Sequence, residues 1–498
     1  MINNIIIAII FIINILKKKE LLVILSDILL FTKAMHYIYT LAIFLLISIC
    51  ANATTLDEAK ALYLKGNYAK ALPAFKEQIK KTPKDAALNQ WLGVCLYETG
   101  AIDESIAPLT YADSKSVIEA SRYLAYIAFK QYRFSDAKSH LEKYKASLIK
   151  ANKTIPTEIE TLLSKIINAA NMLERVEKIQ IIDSINVDKD KFFKFYKLSK
   201  ESGSISDISI LNSEFSAAKP TIVYCPESKN QMIWAKNIAG KSTLVSASKL
   251  SDGSWEKPHT LSSNLNEGGN ANYPYLMPDG ITLYFANDGE NSIGGYDIFI
   301  TRKNDNSYFQ PQNIGMPYNS LYNDYMFVID EVTGIGWWAS DRNQIDGKVT
   351  IYTFITNESR INYPANSPNL INLAKINAIK DSWNKDSNYN NILKQLEIID
   401  SNKISNSASS FSITLPNGNV YTTFSQFKNN EAITAMQEYL EALNQYNLTK
   451  TKIDNLRKLY SNGDKSIAQT ILEMENSILT QYNELIRLRN IVVSLESK

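Results

Sequence analysis

Two kinds of apolar patterning divide the chain. From Leu56 to about Leu148 apolar positions recur at helical spacing, in segments that repeat after 34 and then 32 residues with Tyr68, Ile102 and Phe134 as markers. Around them stand Gly66, Ala71, Phe75 and Pro83 in the first copy, Leu92, Gly93, Leu96, Gly100 and Leu109 in the second, and Leu124, Ala125, Ala137 and Leu141 in the third. Small residues at such positions let paired helices approach while large ones fill the gap, so the pattern predicts a stack of helix pairs. A further amphipathic helix is predicted over Pro156 to Glu177, with Ile159, Leu162, Leu163, Ile166, Ile167 and Leu173 on its apolar face, capping the stack.

At Ile179 to Val187 the pattern changes to alternation, which predicts a strand. A block then recurs three times, with Pro226, Pro278 and Asp330 opening hairpins 52 residues apart. Each copy carries an apolar run ending in polar residues, Met232 to Asn237, Thr282 to Asp288 and Gly336 to Asp341. A second strand follows in each: Thr243 to Ser248, Tyr296 to Arg302, and Val349 to Ile355. A period of about fifty residues built from short strands and turns predicts β-propeller blades, which bury their faces only by stacking in a ring. Three blades do not close a ring, so strands at Ser410 to Thr414 and Asn419 to Phe424 are expected to pair with 179–187 and complete it. Residues 369–399 are expected to be mostly helical and to lie outside the ring. From Asn430 onward a heptad-like seam, broken at Ser461 to Asp464, predicts an antiparallel helical hairpin, with self-association through the same face as the competing arrangement.

The predicted fold class is therefore multidomain α + β. It comprises a leader or misplaced start (1–34), a signal peptide (35–53), helical repeats (54–150), a capping helix (151–178), blades (179–368), a helical excursion with a closing hairpin (369–429) and a helical hairpin (430–498). The export reading rests on the apolar run Leu41 to Ile49 followed by Ala51-Asn52-Ala53, with Met35 as the start; an uncleaved membrane anchor is the alternative. Cys50 offers a lipid-anchor alternative, against which Ile49 counts.

Composition excludes some classes. The 498 residues are 45% hydrophobic and 21% charged, enough for sizeable cores, and a net charge of +2 provides no basic excess to track nucleic-acid phosphates. Cys50, Cys95 and Cys225 are too scattered for a disulfide framework or thiolate metal site. In the expected mature chain only His140 and His259 are available for acid-base work, and no Gly-x-Ser-x-Gly or His-Glu-x-x-His motif is present. Ala235 to Ser242 satisfies a loose phosphate-loop pattern, yet an alternating β-run follows where a helix is required, so a hairpin is expected. The acidic loop from Asp288 to Ser292, with Asp297 beyond it, reads as turns rather than a calcium site. Trp337 and Trp338 read as blade core, because neighbouring strand residues face opposite sides.

The helical spacing resembles the tetratricopeptide repeat, with Asn89 and Ser105 departing from the usual tryptophan and alanine. Tyr273-Pro-Tyr-Leu-Met-Pro-Asp-Gly-Ile-Thr-Leu-Tyr-Phe-Ala-Asn-Asp288, followed by Gly294-Gly-Tyr-Asp-Ile-Phe299, resembles the PD40 repeat, a WD40-like blade related to the TolB propeller. Glu227 and the stretched turn Asp330 to Gly334 depart from that pattern. The order of repeats resembles exported proteins of Bacteroidetes-type cell envelopes. The resemblance implies a periplasmic or outer-membrane-associated scaffold that binds other envelope proteins, in secretion or assembly, with no catalytic set, cofactor or metal. The repeat register points to Gln90, Tyr97, Glu98, Arg122, Tyr126 and Lys130 as the partner-binding face. A ligand-binding propeller, holding a glycan, peptide or ion in its central channel, is the alternative.

Overall fold

The computed structural model describes residues 54–497 apart from 208–221, 251–252, 305–306, 385–388, 391, 395–410, 418 and 462, with scattered positions between 4 and 18. The segment 35–53, including Cys50, and most of the leader lie outside the described residues. So do Ser410 and Gly418. No described helix is long and apolar enough to cross a membrane. The protein is mixed α and β and forms two compact bodies, one of residues up to Ile127 with His140–Lys153, the other of Ala128–Ser139 with Thr154 onward.

The helical stretch contains α1 (Leu56–Leu64), α2 (Tyr68–Lys81), α3 (Ala86–Glu98), α4 (Ile102–Ser114), α5 (Ile118–Lys130) and α6 (Phe134–Lys150). The markers Tyr68, Ile102 and Phe134 are each the first residue of the second helix of a pair. Thr55 and Glu58 form a capping box that starts α1. Within the first body, cross-links span about one repeat: Gln90 donates to the Tyr63 hydroxyl (2.7 Å), Tyr111 to the Lys84 carbonyl (3.0 Å), and Lys143 to Asp113 (2.7 Å). Contacts of that regular reach are those of a one-dimensional stack. Gly93 is required where α3 meets α4, since a Cβ there would lie 2.6 Å from Leu109 Cγ.

In the second body α7 (Thr157–Leu173) precedes three antiparallel sheets. Sheet one runs in the order β2 (Ser204–Asp207), β3 (Ile222–Cys225), β4 (Gln231–Ile238), β5 (Lys241–Ser248), β6 (His259–Thr260). Sheet two pairs β7 (Ala271–Leu276), β8 (Thr282–Asn287) and β9 (Asp297–Asn304), with the two-residue strands β10 (Ser307–Tyr308) and β11 (Gln312–Asn313) on β9. Sheet three consists of β12 (Asp324–Asp330), β13 (Ile335–Ser340) and β14 (Lys348–Ile355), with β1 (Gln180–Asp188) as its outer strand. The strands predicted at 179–187 and in the three repeats match these elements to within about two residues at either end.

Sheets two and three repeat one another in detail. Asn270 donates through its amide and side chain to Asp288 (2.6 and 2.9 Å), and Asn323 does the same to Asp341 (2.8 and 2.8 Å). The Asn266 side-chain oxygen accepts from the Leu244 amide (2.7 Å), tying sheet one to the segment entering sheet two. Asn319 repeats this one sheet later, accepting from the Ile298 amide (2.7 Å) and donating to its carbonyl (2.9 Å). Tyr273 and Met326 have φ near +52°, each at a register shift in its strand. One core holds β3, β7 and β12, one strand of each sheet, through Tyr224, Tyr273, Tyr275, Tyr325 and Val328, together with Phe192, Phe193 and Tyr196.

One expectation requires correction. A hairpin does form near 410–424, as β15 (Ile413–Thr414) with β16 (Val420–Tyr421), but these strands pair with each other, and 180–188 pairs with β14 along the register Gln180↔Ile355 to Asp188↔Lys348. The strand partner of β1 is thus β14, whose apolar run offers a longer edge than a two-residue hairpin arm. Residues 369–399 are largely helical where described, as expected. They hold α8 (Leu370–Lys375), a 3₁₀ turn at Ile379–Ser382 and a fragment near 390–394. Ser382 and Trp383 bond both backbone groups of Ile181 on β1 (2.9 and 2.7 Å).

The C-terminal helices α9 (Asn430–Ser461) and α10 (Ala468–Glu496) form the antiparallel hairpin, with Arg457 reaching Glu475 (2.7 Å) at one end and Glu496 accepting from the Lys428 amide (2.6 Å) at the other. Met436, Leu485, Leu488 and Val492 fill its seam together with Ile413 and Tyr421 of the small hairpin. Polar contacts hold the helices to turns of sheets one and three. Lys450 pairs with Glu227 (3.0 Å) and Tyr482 donates to Glu331 (2.5 Å). Gly334 lies there beside the Arg489 guanidinium with φ +71°, a backbone conformation that favours glycine.

Asn319 is fully buried, so replacing it by alanine leaves both backbone groups of Ile298 without this partner. Asn319→Ala is expected to lower stability by about 2–4 kcal/mol in urea unfolding. A loss below about 0.5 kcal/mol, the range of an ordinary surface change, would show that the sheets do not depend on this clamp.

Candidate functional site

The first helices of successive pairs, α1, α3 and α5, place a set of tyrosines together. Tyr97 meets Tyr123 edge-on (5.2 Å between ring centroids) and Tyr126 at 6.4 Å, while Tyr123 and Tyr126 are 5.7 Å apart. Arg122 lies amid these rings, its guanidinium carbon 5.2 Å from the Tyr123 ring, 5.8 Å from Tyr126 and 5.9 Å from Tyr144. An arginine so placed gains from the ring quadrupoles. Its Nη2 pairs with Glu119 (2.6 Å), and its Nε–H is buried without a hydrogen-bond partner.

Burial alone would depress the Arg122 pKa, yet the Glu119 carboxylate and the tyrosines hold it above its ordinary value. Burial and then Glu119 push the Tyr144 hydroxyl up to about 12, and burial raises Tyr63 to about 12 as well. Burial, reinforced by the hydrogen bond to Glu98, raises Tyr123 also. These rings therefore stay neutral at any physiological pH, and the face keeps one fixed cation among amphipathic rings.

Of the residues singled out from the register, Tyr97, Glu98, Arg122 and Tyr126 come together here. Glu98 is exposed and accepts from the Tyr123 hydroxyl (2.9 Å). Gln90 is 6% exposed and is engaged in holding Tyr63, which places it in the packing between repeats. Lys130 is exposed at the end of α5, in the stretch that belongs to the second body. Tyr63, Glu119, Tyr123 and Tyr144 complete the cluster and were not singled out from sequence. Tyr63 stands 34 residues before Tyr97, one repeat period, so the register held the signal for it.

The other candidates resolve into structure. Ala235 to Ser242 is the β4–β5 hairpin, closed at Ile238↔Lys241 by Ala239 and Gly240 with positive φ, so no helix N-terminus meets the loop. Trp337 and Trp338 are both buried, one in each of two separate core clusters on opposite faces of β13. Asp288 serves the Asn270 clamp. Asp297 is buried and accepts from the Ile293 and Gly294 amides and from Asn313, and burial pushes its carboxyl up to about 7. Asp324 is buried against Arg342 (2.7 Å), which also donates to the carbonyls of Pro317 and Tyr318. His259 is exposed, 3.5 Å from Glu256. Cys95 is buried, and its thiol is pushed up to about 12 by that burial. Among the described residues no group of three or more His, Cys, Asp or Glu side chains is disposed to hold a metal ion.

No protein-family model matches the chain, and no curated protein is significantly similar to it. The tetratricopeptide and PD40 readings therefore stand on the residues of this chain alone.

The packing role of Gln90 is measurable. Gln90→Ala removes the donor to Tyr63 from a buried setting and is expected to cost about 1–2 kcal/mol in urea unfolding, whereas Glu98→Ala, at an exposed position, should stay within about 1 kcal/mol. Equal effects from the two variants would contradict this division.

Proposed function

We propose that this protein is a non-enzymatic docking scaffold, in which a tetratricopeptide-type helical stack receives an extended segment of a partner protein. The observation that carries the reading is the Arg122 site. A guanidinium left partly exposed and ringed by tyrosines of neighbouring helices suits a carbonyl or carboxylate of an incoming chain. Tyrosine supplies contact area on both its apolar face and its polar tip with few rotatable bonds to immobilise.

The sheets support the companion reading of propeller-type blades. Their recurring clamps and bulges repeat at one blade length, and the strand upstream of the first sheet completes the outer edge of the last. In this reading β1 links the two ends of the blade array. Placement outside the cytoplasm, in a cell envelope, belongs to the same proposal and rests on Leu41 to Ala53. The alternative of a ligand held at the centre of the blades has weaker support, because Phe192, Phe193 and Tyr196 pack where β3, β7 and β12 meet and Tyr196 donates to the Met326 carbonyl (2.8 Å).

A photo-crosslinking residue at Tyr126, in cells of the native host, tests the docking. One partner should be captured through an extended segment. Arg122→Gln should reduce that capture by about tenfold, the effect of removing a central arginine anchor, while leaving the melting temperature within a few degrees. Capture that is undiminished in Arg122→Gln would overturn the assignment.

A further inference from the structure

Between α7 and the outer edge of sheet two runs an open cleft of about 470 Å³, distant in sequence from the tyrosine face and carrying no known role. One wall is a single face of the chain through α7 and its C-terminal end, where Asn168, Asn171, Met172 and Arg175 follow at helical spacing. The other is the segment around β11, with Pro311 and Gln312.

Both walls are fixed in place by groups whose bonding capacity is used. Arg360 donates to the Ile314 carbonyl (2.6 Å), the Arg175 carbonyl (2.9 Å) and Asn362 (3.0 Å), stapling the end of α7 to the β11 segment. Lys165 donates to the Gly294 carbonyl (2.7 Å) farther back along α7. Asn313 spends its amide on Asn291 and Asp297 and its oxygen on Gly315 and Asn319. By contrast, the side chains of Asn168, Asn171, Gln312 and Arg175 have no protein partner among the described residues. A cleft with rigid walls and uncommitted polar tips is preorganised for a ligand.

The chemistry of those tips narrows the ligand. Three carboxamides each offer donors and an acceptor, the match for hydroxyl groups, which also do both. No carboxylate lines the cleft, so it contains no acid-base pair for hydrolysis. The carbonyls of Ala170 and Met172 at the end of α7 are taken by backbone amides, and Arg360 is balanced by Glu177 (3.5 Å) and spent on the two walls, so the lining charge is that of Arg175 beside three carboxamides. Met172 and Pro311 supply an apolar strip for the C–H face of a sugar ring. The volume lies within the range of about 300–1,000 Å³ usual for small-molecule sites. We infer that this cleft binds a short neutral oligosaccharide, with Asn168, Asn171 and Gln312 bonding its hydroxyls. The inference does not rest on the docking reading, since it uses different residues.

The test is calorimetric titration of the purified chain with cellobiose, maltose, lactose and chitobiose, with digalacturonate as the charged comparison. At least one neutral disaccharide should bind saturably, and Asn168→Ala with Asn171→Ala should weaken it by about tenfold or more, as expected for losing two hydrogen-bonding groups. Gln312→Ala should weaken it by a smaller factor. None of these side chains holds the protein together, so the variants should melt with the parent, and Arg122→Gln should leave the sugar affinity unchanged. Three results would each overturn the inference: no saturable binding by any neutral disaccharide, equal affinity in the double variant, or binding of digalacturonate alone.

Discussion

The second body is organised by the antiparallel pairing of Gln180–Asp188 with Lys348–Ile355, two segments about 170 residues apart in sequence. Closing a loop of that length costs roughly 4–5 kcal/mol before any constant term. Eight paired positions and the burial of Ile181, Ile182 and Val187 act against that cost. The pairing also dictates what lies on either side of it. Downstream, the chain must run from the outer edge of sheet three to sheet one, and in crossing it buries Phe192, Phe193 and Tyr196 among β3, β7 and β12. Upstream, Glu177 bridges to Asn362 and Lys178 donates to the Ile361 carbonyl (2.7 Å), which holds the end of α7 beside sheet two.

Buried polar groups in this protein work mainly in joining sheets. Asn266 and Asn319 each tie the last long strand of one sheet to the entry of the next, and Asp288 and Asp341 hold the asparagines that begin that entry. Asp324 and Arg342 form a buried pair whose remaining capacity is taken by Ser320 and by the carbonyls of Pro317 and Tyr318. A buried pair of this kind adds little net stability, but removing one member leaves an uncompensated charge, so it specifies the loop path strongly. The perturbed carboxyl groups of Asp297 and Asp330 follow the same economy. Their oxygens accept from neighbouring backbone amides and hydroxyls and are committed to the fold.

The periodic elements were legible because each residue class had a single structural use. Tyr68, Ile102 and Phe134 recur because each begins a helix packed on its predecessor, and the alternating runs at 232–237, 282–288 and 336–341 recur because each is a sheet interior. Pairing partners were less legible. Alternation in 179–187 announces a strand but not its neighbour, and both a two-residue hairpin arm and the edge of β14 satisfy the same pattern; length of edge decided between them. In the candidate site, register located Arg122 and Tyr126 but ranked Gln90 beside them, since register gives the helix face and not the depth to which Tyr63 draws that side chain inward. The oligosaccharide cleft left no mark in the sequence, because Asn168, Asn171 and Gln312 belong to no repeat and meet only through Lys165 and Arg360.

Repetition also explains where this cleft sits. The outer strands β6 and β11 occupy equivalent places, two residues each and 53 apart, but His259 on β6 is exposed and contributes to no comparable enclosure. On sheet three the equivalent edge is occupied by β1 along eight residues, which leaves no room for a helix wall. Sheet two alone combines a short outer strand with α7 beside it, and α7 is there because β1 continues from its C-terminal end into sheet three. The pairing that completes one sheet therefore creates the opening beside another, and the positions that escape the repeat are the ones left with uncommitted hydrogen-bonding groups.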